Sequence, residues 1–377
     1  MEIAMMGHKR VPSHEGGIEI VVDELGSRLA AMGNDVVCYN RSGHHVSGEK
    51  YDLKKVKEYK GMSIKYVPTI DKKGLAAMTS SFFAAFACAF GKYDIVHIHA
   101  EGPAFFTWIP KLFGKKVVVT VHGLDWKRAK WQNGLGSKYI HLGEKIAAKY
   151  ADAIIVLSTT VQDYFIAAYG KETVYIPNGV NPGMIVDAKT ITERFGLTRA
   201  GYILYVGRIV PEKGVKELVE AFNDLNTSKK LAIVGGHSDS KEYVAEVMEI
   251  ASDNQNIVFT GFLEDQQLLA ELYSNAYFYV LPSTLEGMPL TILEAMSYGN
   301  AVLTSEIYEC ASVIGKHGTT FEPGNVADLK EKMQILCDSP EIVEELKTGA
   351  VDYIKECFSW DDTAKRTLNV YKGVLGL

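Results

Sequence analysis

Two α/β domains, each a Rossmann-like doubly wound parallel sheet, are the fold class this sequence predicts, and three observations predict it. The chain has 377 residues, too many for one ordinary core and suited to two domains of roughly 170 to 190 residues each. Short runs such as Ile154-Ile155-Val156-Leu157 and Leu204-Tyr205-Val206-Gly207 are apolar at consecutive positions, as in strands buried on both faces between helix layers. These runs alternate with helical patterns along the whole chain, which implies repeated strand–helix–strand units.

Taken in order, strands are expected at 3–6, 35–39, 64–67, 95–98, 117–121, 153–157 and 174–176 in the first half. The second half repeats the series at 202–206, 231–234, 257–260, 277–281 and 301–304. Between them, Pro177-Asn178-Gly179-Val180-Asn181-Pro182-Gly183 gathers turn formers and breakers. The expected division is therefore 1–180 and 181–360, with a C-terminal helix, 361–377, returning to the first domain. Sheets of this kind bind ligands at the carboxyl ends of their strands, so a cleft facing both sets of ends is expected.

Hydrophobic content of 47% and charged content of 23% are those of a soluble globular protein. Five scattered cysteines without a CxxC pair argue for a reducing cytoplasm and against a disulfide framework or zinc site. The opening residues, MEIAMMGHKR, read as a first buried strand rather than a signal peptide. Residues 75–90, LAAMTSSFFAAFACAF, are too short to span a bilayer. With Phe82, Phe86 and Phe90 on one side, they form either a buried core helix or one that meets a membrane or acceptor.

The two halves differ in charge. Residues 1–180 hold 23 Lys and Arg against 17 Asp and Glu, a net +6; residues 181–377 hold 17 against 29, a net −12. Lysines concentrate at 50, 54, 55, 57, 60, 65, 72 and 73. They are either a solvated face or a face toward an anion, such as a phospholipid surface or a phosphorylated acceptor. No aromatic-interleaved basic stretch accompanies them, so nucleic acid is not an expected partner.

Four segments could carry chemistry. Gly207-Arg208-Ile209-Val210-Pro211-Glu212-Lys213-Gly214 follows a strand and opens a helix. Its Arg fork and Lys point charge suit a diphosphate, or it is simply a charged loop. Glu286-Gly287-Met288-Pro289-Leu290-Thr291-Ile292-Leu293-Glu294 places Glu286 in a loop, Pro289 in the first turn of a helix and Glu294 within it. The two carboxylates can accept hydrogen bonds from sugar hydroxyls, or they are a helix cap and an ordinary helical Glu. Gly16-Gly17 opens the first helix, where backbone can approach a ligand closely. His122-Gly123 follows a strand, and its histidine is either a core or a site residue. His97 and His99 flank one strand residue and point to one side, but no third metal ligand neighbours them. No Asp-x-Asp occurs in the chain, which removes the simplest carboxylate pair for a divalent metal on a diphosphate.

In this order, Gly16-Gly17, His122-Gly123, GRxxxEKG and the E-x7-E element resemble the retaining GT-B glycosyltransferases of family 4, over nearly the whole chain. The resemblance implies two Rossmann-like domains around a central cleft and a nucleotide-diphosphate sugar, linked to UDP, GDP or TDP, as donor. It assigns Arg208, Lys213, His122 and Glu286 to catalysis. It assigns Gly16, Gly17, Arg208, Lys213, Leu263, Glu286, Gly287, Met288, Pro289, Leu290 and Glu294 to donor binding, with Arg208 and Lys213 on the phosphates and Glu294 on the ribose. No cofactor and no essential metal are implied. A narrower likeness, carried by PSHEGGIEIVVDE and GLDWKRAKW, is to the branch that builds capsule and cell-wall polysaccharides, rhamnosyltransferases included. That branch often has Asp where this chain has His122. A plainer reading of GLDWKRAKW is cation–π packing of Arg128 and Lys130 around Trp126 and Trp131.

The expected activity is thus sugar transfer, with retention, to a hydroxyl of a glycan or lipid-diphosphate acceptor. The expected place is the cytoplasm, or peripherally the inner face of an anionic membrane. Rivals are a nucleotide-sugar epimerase of the same architecture, a dinucleotide-dependent oxidoreductase, disfavoured by the absent GxGxxG, and a non-catalytic nucleotide-sugar-binding protein.

Overall fold

The computed structural model describes residues 1–13, 16–44, 54–72, 74–128, 134–236 and 241–377. The chain forms two compact units, Met1–Gly179 with Trp360–Leu377, and Val180–Ser359. Lys50, Lys73, Lys130 and Trp131 lie outside the described residues.

The first unit is an eight-stranded sheet. Its strands are β1 (Glu2–Met6), β2 (Asp35–Arg41), β3 (Glu58–Tyr59), β4 (Met62–Val67), β5 (Ile95–His99), β6 (Lys116–Val121), β7 (Ala153–Val156) and β8 (Val174–Tyr175). They lie in the order β3-β4-β2-β1-β5-β6-β7-β8, all parallel except the β3–β4 pair. Successive side chains of β1 enter opposite cores, as the pleat requires. Ala4 and Met6 join the helix Leu75–Phe90, while Ile3 and Met5 join residues of the first and last helices. The helix Trp360–Leu375 belongs to this unit. Its Ala364 and Tyr371 are fully buried, Thr363 donates to the Pro177 carbonyl at 2.8 Å, and Arg28 meets Asp361 at 2.7 Å.

The second unit has six parallel strands: β9 (Tyr202–Val206), β10 (Lys230–Val234), β11 (Ile257–Gly261), β12 (Phe278–Leu281), β13 (Val302–Ser305) and β14 (Gly318–Phe321). Their order is β11-β10-β9-β12-β13-β14. The sequence pattern anticipates twelve of the fourteen strands and misses β3 and β14. β3 has two residues, and β14 is a half-exposed edge whose Gly318-Thr319-Thr320 lacks an apolar run.

Each sheet runs outward from its first strand on one side and then returns to continue on the other. The reversal falls between β1 and β5 in the first unit and between β9 and β12 in the second. Adjacent loops at the carboxyl ends there leave in opposite directions, and ligands bind at such points in open α/β sheets.

Candidate functional site

In the second unit, the segments 207–214 and 282–294 emerge from β9 and β12, the two strands beside the reversal. Glycines allow their backbones to approach. A Cβ on Gly235 would lie 1.8 Å from the Gly207 carbonyl oxygen, so the ends of β9 and β10 meet backbone to backbone. Gly214 closes the short turn Pro211–Lys213 with φ +66°, and a Cβ there would lie 2.2 Å from the Pro282 carbonyl oxygen. Both demands, left-handed backbone and lack of space, select glycine. The Thr284 N–H then donates to the Glu212 carbonyl at 2.9 Å, joining the two segments.

This junction brings Lys213 and Glu286 together. The Lys213 ammonium pairs with Glu286 Oε1, with side chains only 16% and 10% exposed. The sequence pattern suggests separate tasks for these residues; the fold makes them one ion pair at the mouth of the reversal. Arg208, in the same loop as Lys213, is half-buried, and its carbonyl accepts from the Tyr205 hydroxyl at 2.9 Å. Gly287, Met288, Pro289 and Leu290 are buried, while Leu263 is half-buried in the loop after β11. Pro289 is the residue preceding the helix Leu290–Ser297 rather than part of its first turn, a shift of one position from the expectation. Its φ of −77° suits a helix, but its ψ of 103° does not, so the turn begins one residue later.

Glu294 lies on that helix and accepts from the Tyr273 hydroxyl at 3.0 Å. Burial pushes its carboxyl up to about 7, against the smaller opposing effect of the Tyr273 hydrogen bond. Near neutrality this carboxylate is therefore poised between its two forms, and a hydroxyl-rich ligand donating to it favours the ionised one.

The first unit has a different chemistry at its reversal. Gly7, with φ +102°, rests on β5: a Cβ there would lie 2.2 Å from the His99 carbonyl oxygen. Four histidines surround this approach. His8 Nε2 lies 3.0 Å from Asn40 Oδ1, and His97 is held between Thr120 at 2.7 Å and Tyr371 at 2.6 Å. His99 Nδ1 lies 3.1 Å from His122 Nε2. Burial lowers all four: His8 and His122 to about 4, His97 to about 3, and His99 well below its ordinary value. They are neutral at pH 7. His99 Nε2 is buried with no hydrogen-bond partner among the described residues. An unpaired lone pair is tolerated better than an unpaired N–H. His99 therefore carries its proton on Nδ1 and donates to His122 Nε2, which leaves His122 protonated on Nδ1. Among the described residues, no group of three His, Cys, Asp or Glu could hold a metal.

The loop after β6 is anchored by acids that the sequence pattern did not single out. Glu101 and Glu144 are fully buried. Glu101 accepts from the Asp125 N–H at 2.7 Å; Glu144 accepts from Trp126 Nε1 at 3.1 Å, from the Tyr164 hydroxyl at 2.7 Å and from the Tyr169 hydroxyl. Burial, together with Glu144 and Asp125, holds the Glu101 carboxyl well above its ordinary range. One signal was available: Glu144 shares a helix face with Ile140, Ala147 and Ala151, where a carboxylate needs partners. Lys127 lies over the Trp126 ring at 5.5 Å, and Arg128 pairs with Asp125 at 2.8 Å. The expected packing of Arg128 and Lys130 also involves Trp131, and Lys130 and Trp131 lie outside the described residues.

Gly16 and Gly17 begin the helix Gly17–Ala31. Gly16 has extended backbone, φ 179°, and a Cβ there would meet only Glu19 Oε2, at 3.0 Å, so nothing in the backbone demands glycine. Glu19 itself is buried and accepts from the Lys9 N–H at 2.8 Å.

Twin doubly wound sheets with polar groups gathered at their reversals define a two-domain α/β protein, of a class in which ligands bind at the strand ends. The family described as Glycosyltransferase Family 4 matches residues 15–183, and Glycosyl transferases group 1 matches residues 187–352. The chain belongs to these group 1, family 4-like GT-B glycosyltransferases. It is 27% identical to the D-inositol 3-phosphate glycosyltransferase of Thermomonospora curvata, covering 95% of this chain and 90% of that protein. Its fold matches sucrose-phosphate synthase from Thermosynechococcus elongatus with a TM-score of 0.83 and 22% identity, over 100% and 99% of the two chains. It also matches Anabaena HepE, solved with UDP-glucose, with a TM-score of 0.81 and 15% identity, over 99% and 100%.

Proposed function

We propose that this glycosyltransferase uses a nucleoside-diphosphate sugar as donor and transfers its sugar, with retention, to a hydroxyl of a glycan or lipid-linked acceptor in surface polysaccharide assembly. Its place would be the cytoplasm, or the inner face of a membrane. The observation that carries the donor reading is the Lys213–Glu286 ion pair at the β9–β12 reversal, with Arg208 in the same loop as Lys213 and Glu294 on the helix that follows.

In this reading the bond between the anomeric carbon and the diphosphate breaks, and a glycosidic bond forms to the acceptor oxygen. The acceptor's proton passes to the leaving phosphate oxygen. Charge grows on that phosphate, where Arg208 and Lys213 stand in advance, and such preorganised charge acts most in the transition state. A diphosphate competes with Glu286 for Lys213 and frees the carboxylate to accept from a sugar hydroxyl. Glu294 accepts from the ribose. In the first unit, neutral His122 has an Nδ1–H to offer to a sugar oxygen, and Gly16-Gly17 are backbone that a ligand can approach closely. Two fixed cations supply the charge that a metal otherwise supplies, so activity is expected to survive chelation by EDTA.

A thermal-shift panel of UDP, GDP, TDP and their sugars tests the donor, because a bound ligand raises stability by mass action. Stabilisation by none of them overturns the reading. The anomeric coupling in the NMR spectrum of the product decides retention.

A further inference from the structure

We infer that the helix Leu75–Phe90, with the neighbouring helix Trp108–Leu112, is a docking surface for an anionic lipid bilayer. The long helix is packed the opposite way from a core helix. Ser80, Ser81, Ala84, Ala85, Cys88 and Ala89 face the sheet, so its small side chains are inside. Its phenylalanines are outside: Phe82, Phe86 and Phe90 are 42%, 50% and 62% exposed. Their rings run on in a continuous row, with centroids 6.3 Å apart from Phe82 to Phe86, 4.9 Å to Phe90 and 4.6 Å to Phe113. Leu112, 73% exposed, and Trp108, 39% exposed, extend it along the second helix. Single exposed apolar residues are ordinary; a connected aromatic row on two adjacent helices marks an interaction surface.

Charge decides what covers it. Residues 75–90 contain no charged side chain, and the surrounding stretch 65–116 contains seven lysines against Asp71, Asp94 and Glu101. Glu101 is fully buried, Asp94 is engaged with the Glu2 N–H, and Lys115 donates to the Gly91 and Tyr93 carbonyls at the end of the long helix. Asp152 offsets Lys111 and Lys116 in part. The unit as a whole holds 26 Lys and Arg against 19 Asp and Glu, a net +7. An apolar aromatic row within a positive surround fits acyl chains beneath anionic headgroups. A second copy meeting the same patch about a two-fold axis would set one positive surround against the other. None of this involves the donor residues, so it deepens the lipid-linked acceptor reading without resting on the donor chemistry.

The test is flotation of the whole protein with vesicles of phosphatidylglycerol and phosphatidylcholine, and with phosphatidylcholine alone, at low and high salt. The wild-type chain is expected to float with the anionic vesicles and to do so less at high salt. The double variant Phe86→Ser/Phe90→Ser, both exposed positions, is expected to bind about tenfold or more weakly while melting normally. Failure of the wild type to float, or equal flotation by the variant, overturns the proposal. So does a homodimer in light scattering that the variant dissolves without any vesicle binding. Donor stabilisation, read in the same preparations, reports separately on the proposed function.

Discussion

The two units share one strand scheme and differ in what stands at its reversal. Around β1 and β5 the first unit gathers four uncharged imidazoles and a buried acid pair. Beside β9 and β12 the second holds a largely buried ion pair, an Arg and a carboxylate poised near neutrality. Both reversals are tightened in the same manner, by a glycine whose missing Cβ admits a carbonyl: Gly7 under His99 and Gly214 under Pro282. The comparison teaches that the scaffold sets where ligand groups converge, while burial decides whether those groups carry charge. The basic unit presents neutral imidazoles at its reversal, and the acidic unit presents cations.

Acid breaks this comparison most strongly. An imidazole whose folded value is depressed stabilises the fold fully above its unfolded value of 6.5, and that stability is lost as pH falls toward the folded value. Each such imidazole costs about 1.4 kcal/mol per pH unit within its window. His8, His97, His99 and His122 should therefore remove several kcal/mol from the first unit between pH 6.5 and 4, opposed by the raised carboxyl of Glu101. All four tryptophans, Trp108, Trp126, Trp131 and Trp360, belong to that unit, so fluorescence melts report it alone. A fluorescence Tm that holds constant over this range, while circular dichroism shows loss elsewhere, would reverse the assignment.

Next in size are the charges of the second unit. Arg208→Ala or Lys213→Ala should cost transfer roughly 3 kcal/mol, about a hundredfold in rate, with the fluorescence melt unchanged. His122→Ala, removing a neutral donor, should cost about 1 kcal/mol. Steady-state kinetics on the three variants rank them, and a larger loss at His122 would contradict the division of labour.

The glycines come third. Gly7→Ala and Gly214→Ala each force a side chain into left-handed backbone against a carbonyl, at about 1–3 kcal/mol or more. The melting temperature should fall by roughly 2–4 °C for each kcal/mol. Gly33→Ala, also left-handed at φ +83° but with nothing within 4 Å, is the control and should lose least. Equal losses at all three positions would show that backbone conformation, not close approach, makes these glycines necessary.

The smallest effect is the pH dependence at Glu294. With a folded value raised to about 7, its contribution to stability is full below the ordinary 4.5 and is lost as pH rises through 7. Ligand hydroxyls donate to the ionised form, so nucleotide affinity should rise from pH 6 to 8 and level off. In Glu294→Gln that rise should vanish. Titration calorimetry at three pH values, showing the same rise in both proteins, would remove Glu294 from the ribose.

Much of the fold was legible because parallel strands buried on both faces leave uninterrupted apolar runs, and breakers separate them. The two missed strands, β3 and β14, are short or half-exposed edges with no such pattern. The linear order of Gly16-Gly17, His122-Gly123, Arg208, Lys213, Glu286 and Glu294 pointed to two ligand-bearing halves, because residue types and spacing are local properties. Pairing is not local. Seventy-three positions separate Lys213 from Glu286, and their ion pair exists because two glycine-lined segments pack across a strand reversal. The neutrality of His122, its bond from His99, and the anchoring of its loop by Glu101 and Glu144 depend on desolvation, which no single position encodes. The exposure of Phe82, Phe86 and Phe90 has the same origin. Periodicity placed them on one face, and only the packing of Ala84, Ala85 and Cys88 against the sheet decided that this face looks outward.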